Sequence, residues 1–244
     1  MAVLVSSSGS ATYQTTDPSG DQGWSSVGTA NGASAVYLGD GWVISAAHVG
    51  AGTFNLDSYS FSYVADTAVH LLNPDNTSET SDLVLYQIEG EGLDSLTPAS
   101  LTSATIIFPN QSVTMIGYGG GTKSWGENTV EPLPYELELN GYVTQSRYTD
   151  YDAAIDGQAQ AIGGDSGGGV FTYNNLSGEW ELIGIMLAIS DADESGGTSN
   201  GDLTLFANLI EYRDQIDEIM STPEPSTTLL LGLSMLMVLR RKRC

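Results

Sequence analysis

The sequence predicts an all-β domain closed by a single helix, and three observations predict it. Short apolar or alternating runs recur along residues 34–209. Asn, Asp, Gly and Ser fill the gaps between them, as expected when strands are joined by tight turns. Only NLIEYRDQIDEIM (208–220) has helical spacing, which gathers Leu209, Ile210, Tyr212, Ile216 and Ile219 largely on one side. The chain has 244 residues, 41% of them hydrophobic, enough to bury the core of one large domain or two small ones.

The strands follow in order. SAVYLGDGWVISAAHV (34–49) contains a GDG turn at 39–41 that suits a hairpin. TFNLDSYSFSYVADTAVHLL (53–72), SDLVLYQI (81–88) and QSVTMIGYG (111–119) come next. YELELNGYVTQSRY (135–148), GVFTYN (169–174), WELIGIMLAIS (180–190) and LTLFANL (203–209) complete the set. No internal repeat is evident. The glycine run GYGGGT (117–122) lacks the lysine and spacing of a phosphate loop and reads as a turn.

Charge narrows the partners. Seven basic residues face 30 acidic ones, for a net charge of −23, and Arg240, Arg241, Lys242 and Arg243 are four of the seven. Such a surface repels phosphates, so nucleic acid is excluded as a partner. The single cysteine, Cys244, permits no intrachain disulfide, and packing must hold the fold.

The two ends carry different signals. Thr227 to Leu239 is uncharged for 13 residues and is followed by the basic cluster. As a helix it would rise about 20 Å, short of the ~30 Å hydrocarbon core, so it reads as a marginal, transient anchor in the inner membrane. Ser221 to Ser226, with its Pro-Glu-Pro, is a linker. Together these residues resemble the bacterial PEP-CTERM sorting signal. That resemblance implies export, cleavage near Pro223 to Pro225 by an exosortase-type enzyme, and delivery to the cell envelope, cell surface or extracellular matrix. The opening MAVLVSSSGS has no basic residue and fails as an export signal, so the native chain is expected to begin further upstream.

Two histidines are present, His48 and His70. A serine nucleophile needs a base within hydrogen-bond reach and a group that orients the base. WVISAAHVG places His48 just after an apolar strand, and SDLVLYQI places Asp82 at the head of another, with Asp66 and Asp75 as possible substitutes. GGDSGGG places Ser166 where N–H groups of Gly164, Asp165 and Ser166 can face a developing oxyanion. GDSGG also satisfies the nucleophile elbow G-x-S-x-G, but no histidine follows Ser166, and that order requires one.

In the order His48, Asp82, Ser166 the chain resembles the trypsin/chymotrypsin-like serine proteases, over roughly residues 24–220. ISAAHV looks like the family's histidine block, SDLVLYQI its aspartate strand and GGDSGGGV its serine block. WELIGIML looks like its cleft strand. The resemblance implies two six-stranded antiparallel β-barrels with a C-terminal α-helix, a triad between the barrels, and peptide-bond hydrolysis without a cofactor. It implies an oxyanion hole from Gly164 and Ser166 and a polypeptide substrate. The organisation expected is an N-terminal segment 1–23, a protease domain 24–220, a linker 221–226 and a sorting helix with basic tail 227–244.

Departures from the family pattern set further expectations. No activation start of the Ile-Val-Gly-Gly kind exists, so Asp165 needs another cation, for which Arg147 is proposed over Lys123 and Arg213, or an N-terminus created by signal removal. Leu187 stands where the family has a serine that braces the aspartate. Counting from Ser166 and along the last strands puts Gln160 at the base of the specificity pocket, with Leu187, Ile189 and Thr204 around it. That lining suggests small uncharged P1 residues. DADESGGTSNGD (191–202) places Asp191, Asp193 and Asp202 at Ca²⁺-loop spacing, but its flanks are strands, so an acidic loop without metal is expected. The alternative to an enzyme is a protease-like module, weak or inactive, that binds surface or matrix proteins.

Overall fold

The computed structural model describes residues 3–7, 10–191 and 199–222. Its strands are β1 (Leu4–Ser7), β2 (Ser10–Thr12), β3 (Val27–Ala30), β4 (Ala33–Gly39), β5 (Trp42–Ala46) and β6 (Phe54–Leu56). Next come β7 (Tyr59–Tyr63), β8 (Val69–Asn73), β9 (Asn76–Glu89), β10 (Ser100–Leu101), β11 (Ser112–Gly117) and β12 (Ser124–Thr129). The last are β13 (Tyr135–Leu139), β14 (Tyr142–Tyr151), β15 (Ala159–Gln160), β16 (Gly169–Asn174), β17 (Glu179–Ser190) and β18 (Asp202–Asn208), and α1 (Leu209–Ser221) closes the fold.

Two six-stranded rings result. In the first the order is β5-β4-β3-β6-β7-β9, and pairing of β5 with β9 closes it, while β8 hangs on β9. In the second the order is β12-β11-β16-β17-β18-β14, with β13 as a ribbon on β14. A bridge between Val130 and Thr149 joins the two ends of that ring.

The continuous apolar runs reflect burial on both faces. Trp42, Ile44 and Ala46 of β5, with Leu83 and Leu85 of β9, point into a cluster shared by both barrels and α1. The alternate residues Val43, Val84, Tyr86 and Ile88 fill the first barrel with Phe54 and Phe61. A strand buried on both sides loses its polar alternation and reads as an unbroken hydrophobic string. The helix buries Leu209, Tyr212 and Ile216, as its spacing predicts.

Three parts differ from the sequence reading. The stretch 53–72 divides into β6, β7 and β8. The stretch 135–148 is a hairpin that turns at Asn140 and Gly141, both with positive φ. And β1, within the segment set apart as 1–23, pairs with β15, matching Leu4 to Gln160 and Val5 to Ala159. Val3 and Val5 are buried in the second barrel's core beside Met115, Val170 and Phe206. β12 makes room for them at Gly126, where a Cβ would overlap Ala159 and Val5.

Candidate active site

Strand pairing brings the histidine and the aspartate together. Ala46 at the end of β5 is opposite Leu83 of β9. The chain turns immediately after Ala46, with Val49 N–H and Gly50 N–H both donating to its carbonyl. His48 is thereby set beside Asp82. Its backbone N–H donates to Asp82 Oδ1 at 2.8 Å, and its Nδ1 lies 2.7 Å from Asp82 Oδ2. Asp82 is fully buried, whereas the His48 side chain keeps 24% exposure. A buried carboxylate on Nδ1 fixes the tautomer that presents Nε2 as a base. Asp66 and Asp75 are exposed in turns, and His70 stacks on Tyr142 at 6.1 Å between ring centroids.

The serine sits in a loop that only glycine can build. Gly164 and Gly167 have φ of +96° and +84°, values that side chains with a Cβ rarely adopt. A Cβ on Gly167 would overlap the Ser34 carbonyl and Ser45 Oγ. Asp165 N–H donates to Ile162 O and Gly168 N–H to Asp165 O, which winds the loop into successive turns. Among the described residues, neither Gly164 N–H nor Ser166 N–H has a hydrogen-bond partner. Ser166 Oγ donates to the Leu187 carbonyl at 3.3 Å and is not hydrogen-bonded to His48.

The first barrel grips this loop through Ser34, a fully buried residue of β4 that sequence reasoning missed. Its N–H donates to the Ser166 carbonyl at 2.9 Å, and its Oγ donates to the Gly164 carbonyl at 3.3 Å while accepting Tyr118 N–H at 2.9 Å. A buried serine in an apolar strand was the available signal.

Asp165 is not paired with Arg147. Its Oδ1 accepts Gly119 N–H and its Oδ2 accepts Ile162 N–H, each at 2.8 Å. Arg147 Nη1 instead donates to the Pro132 carbonyl. Arg147 lies on β14 opposite Phe206 of β18, and the loop meets the Asp165 carboxylate with backbone N–H groups in place of a cation. Burial pushes the Asp165 carboxyl up to about 7, against the pull of N–H groups from Ile162, Gly119 and Val3. Lys123, a buried cation, donates to the Trp24 carbonyl and lies 4.4 Å from the Trp24 ring centroid. Burial pushes it down to about 8.

A cavity of about 220 Å³ opens beside Ser166, lined by Leu139, Ala161, Ile162, Leu187, Ala188 and Ile189 among others. Leu187 and Ile189 both line this cavity. Gln160 and Thr204 are not on the lining but one layer behind Ala161, whose N–H donates to Thr204 Oγ1 at 2.9 Å. Gln160 is buried there with Nε2 3.4 Å from Asp202. They are displaced because β15 pairs with β1 and turns Gln160 inward. Leu139, at the end of β13, supplies a wall that sequence reasoning missed. A larger hollow, about 690 Å³ between segment 103–112 and the β16–β17 hairpin, contains none of the three candidate residues. Asp193 of the acidic loop lies outside the described residues, and among those described no three His, Cys, Asp or Glu side chains group to hold a metal.

Two closed barrels with a histidine–aspartate pair on one and a glycine-cradled serine on the other define the chymotrypsin-like class of fold. The trypsin family model matches residues 13–216, and the chain belongs to that family. Residues 221–243 match the PEP-CTERM protein-sorting motif, which marks the chain for export and envelope targeting. Among solved structures, the fold is similar to the inactive form of Rv3671c protease, with 16% identity and a TM-score of 0.56 over 83% of this chain and 93% of that one. A serine-to-alanine mutant of Rv3671c from M. tuberculosis, also inactive, matches at 16% identity and 0.55 over 86% and 94%. An HtrA-type protease, AlgW with a decapeptide, matches at 20% and 0.53 over 78% of this chain and 52% of that chain. No curated protein matches the sequence.

Proposed function

We propose that the protein is a serine endopeptidase that acts at the cell surface or in the matrix after its C-terminal signal is processed. The observation that carries the reading is the 2.7 Å His48–Asp82 contact on the first barrel, together with a serine loop that Ser34 ties to that barrel and whose Gly164 and Ser166 N–H groups have no partner among the described residues. Rotation of Ser166 about χ1 releases Oγ from the Leu187 carbonyl and turns it toward His48. Oγ then attacks the substrate carbonyl as His48 Nε2 takes its proton. The oxyanion accepts hydrogen bonds from Gly164 and Ser166 N–H groups, and the Asp82 carboxyl group accepts the hydrogen bond of His48 Nδ1–H throughout. His48 passes the proton to the departing amine, leaving an acyl-serine. Water, deprotonated by the same nitrogen, hydrolyses that ester and returns the proton to Oγ. Every step uses the chain's own groups.

The substrate binds as an added strand. β16 pairs with β17 only as far as Ile185, so Leu187 to Ser190 offers an open edge next to Ser166. The small, largely apolar cavity there favours a small uncharged P1 side chain, because Asp165, the one carboxylate on its lining, is buried with its oxygens accepting Gly119 and Ile162 N–H. The sorting segment, residues 227–244, holds the precursor transiently in the inner membrane until an exosortase-type enzyme removes it.

A second reading keeps the same fold as a binding module, and the hydrogen bond of Ser166 to Leu187 favours it. Incubation of the purified domain with a peptide library separates the two. The enzyme reading expects cleavage after Ala, Val or Ser, lost in His48→Ala. Cleavage chiefly after Arg overturns the pocket assignment, and none at all favours the binding module.

A further inference from the structure

Every hydrogen-bonding group of Asp82 is engaged. Its carbonyl accepts Ala47 N–H at 3.2 Å, and its carboxylate accepts His48 N–H and the His48 ring. These three contacts all return to the β5 end of the first barrel. The fourth comes from elsewhere: Asp82 N–H donates to Thr144 Oγ1 at 2.8 Å. Thr144 belongs to β14 of the second barrel, which also carries Ser166, and both partners are fully buried.

β14 is itself held in place around this contact. Gln145 N–H donates to Tyr212 Oη at 2.9 Å, and Ser146 Oγ donates to the Thr144 carbonyl at 3.1 Å. Tyr212 is anchored in the cluster shared by both barrels and the helix. No hydroxyl reaches the carboxylate from β17, where Leu187 projects no donor.

We propose that Thr144 is a positioning residue, and that its hydroxyl fixes the His48–Asp82 pair of one barrel in register with Ser166 of the other. This rests on the reading of Ser166 as nucleophile. The physical reason is directional. A hydrogen bond to the backbone of Asp82 sets where its Cα lies relative to β14, and the carboxylate and imidazole follow as a unit. Without that acceptor a buried N–H is left unpaired, and the aspartate segment relaxes toward the first barrel, away from the serine.

The test compares Thr144→Val, which keeps the shape and removes the acceptor, with Thr144→Ser, which keeps the acceptor. The loss of a buried acceptor makes kcat on a cleaved peptide fall about ten- to a hundredfold in Thr144→Val. KM should stay within about twofold and Thr144→Ser within about threefold of the parent, since neither the pocket nor the acceptor changes. The downfield proton resonance of His48 Nδ1–H, readable without turnover, should shift in Thr144→Val and not in Thr144→Ser. If Thr144→Val does not fold, Thr144→Ala takes its place with the same direction expected. An unchanged kcat and an unmoved resonance overturn the proposal. So does an equal loss in Thr144→Ser, which would mark a packing role for the methyl group. A parent that neither turns over peptide nor reacts with a fluorophosphonate refutes the nucleophile reading instead, and the resonance then still decides the role of Thr144.

Discussion

Asp165 should make folding stability fall as pH rises, against the usual behaviour of an aspartate. Its carboxyl is 1% exposed, and burial raises it from 3.8 to about 7. Two effects compete there. Removal from water disfavours the charge, while N–H groups of Gly119, Ile162 and Val3 favour it, and burial wins. Between the unfolded and folded values the native state retains a proton that the unfolded chain has released. The contribution is therefore fully present below 3.8 and lost as pH climbs to 7. The slope is about 1.4 kcal/mol per pH unit, and the whole effect is on the order of 4 kcal/mol. The other acids titrate in the same window, so the assay is a difference. Urea unfolding of the parent and of Asp165→Asn is followed by tryptophan fluorescence from pH 4 to 8. The amide does not titrate, and its donor clash with one N–H is a constant offset. The stability difference should shift against the parent by that amount between pH 4 and 7, then level off. A difference that is flat across the range would mean that the N–H donors fully satisfy the charge, and the balance described would be wrong.

Further consequences follow from the same contacts. Gly167→Ala places a methyl against Ser34 and Ser45 at positive φ, so it should lose peptidase activity and at least about 1–2 kcal/mol of stability, read by urea midpoint. Val5→Asp puts a carboxylate into the second barrel's core and should destabilise it by about 3 kcal/mol or more, which the same unfolding assay measures. If the variant matches the parent, β1 is not part of the folded domain. Ile189→Gly opens the cavity mouth and should shift P1 preference toward larger apolar residues by about ten- to two-hundredfold in relative kcat/KM, measured with matched Ala and Phe substrates.

Much of the site was legible in the sequence because its parts are local. A histidine after an apolar strand, an aspartate opening another and a serine among glycines each carry their own signal, and their order selected the family. The residues that join these parts were not legible. Ser34 and Thr144 are hydroxyls in ordinary strand patterns, and their partners, Gly164 and Asp82, lie 130 and 62 positions away. Asn140–Gly141 was a readable turn signal, yet the alternation around it spans 135–148 and reads as one strand. MAVLV fails as an export signal and shows no local sign that it is a strand, because its partner lies at 159–160. Counting along the chain puts Gln160, Leu187, Ile189 and Thr204 around one pocket, but only Leu187 and Ile189 line the cavity beside Ser166, since counting does not foresee the pairing of Gln160 with β1.

The most direct test of the central claim is the intact mass of the purified domain after treatment with a serine-directed fluorophosphonate, with the adduct located by peptide mapping. One adduct per chain, on Ser166, lost in both Ser166→Ala and His48→Ala, is the predicted result. A folded domain that stays unmodified at neutral and mildly alkaline pH, or that is labelled equally well without His48, would contradict a nucleophile activated across the barrel interface.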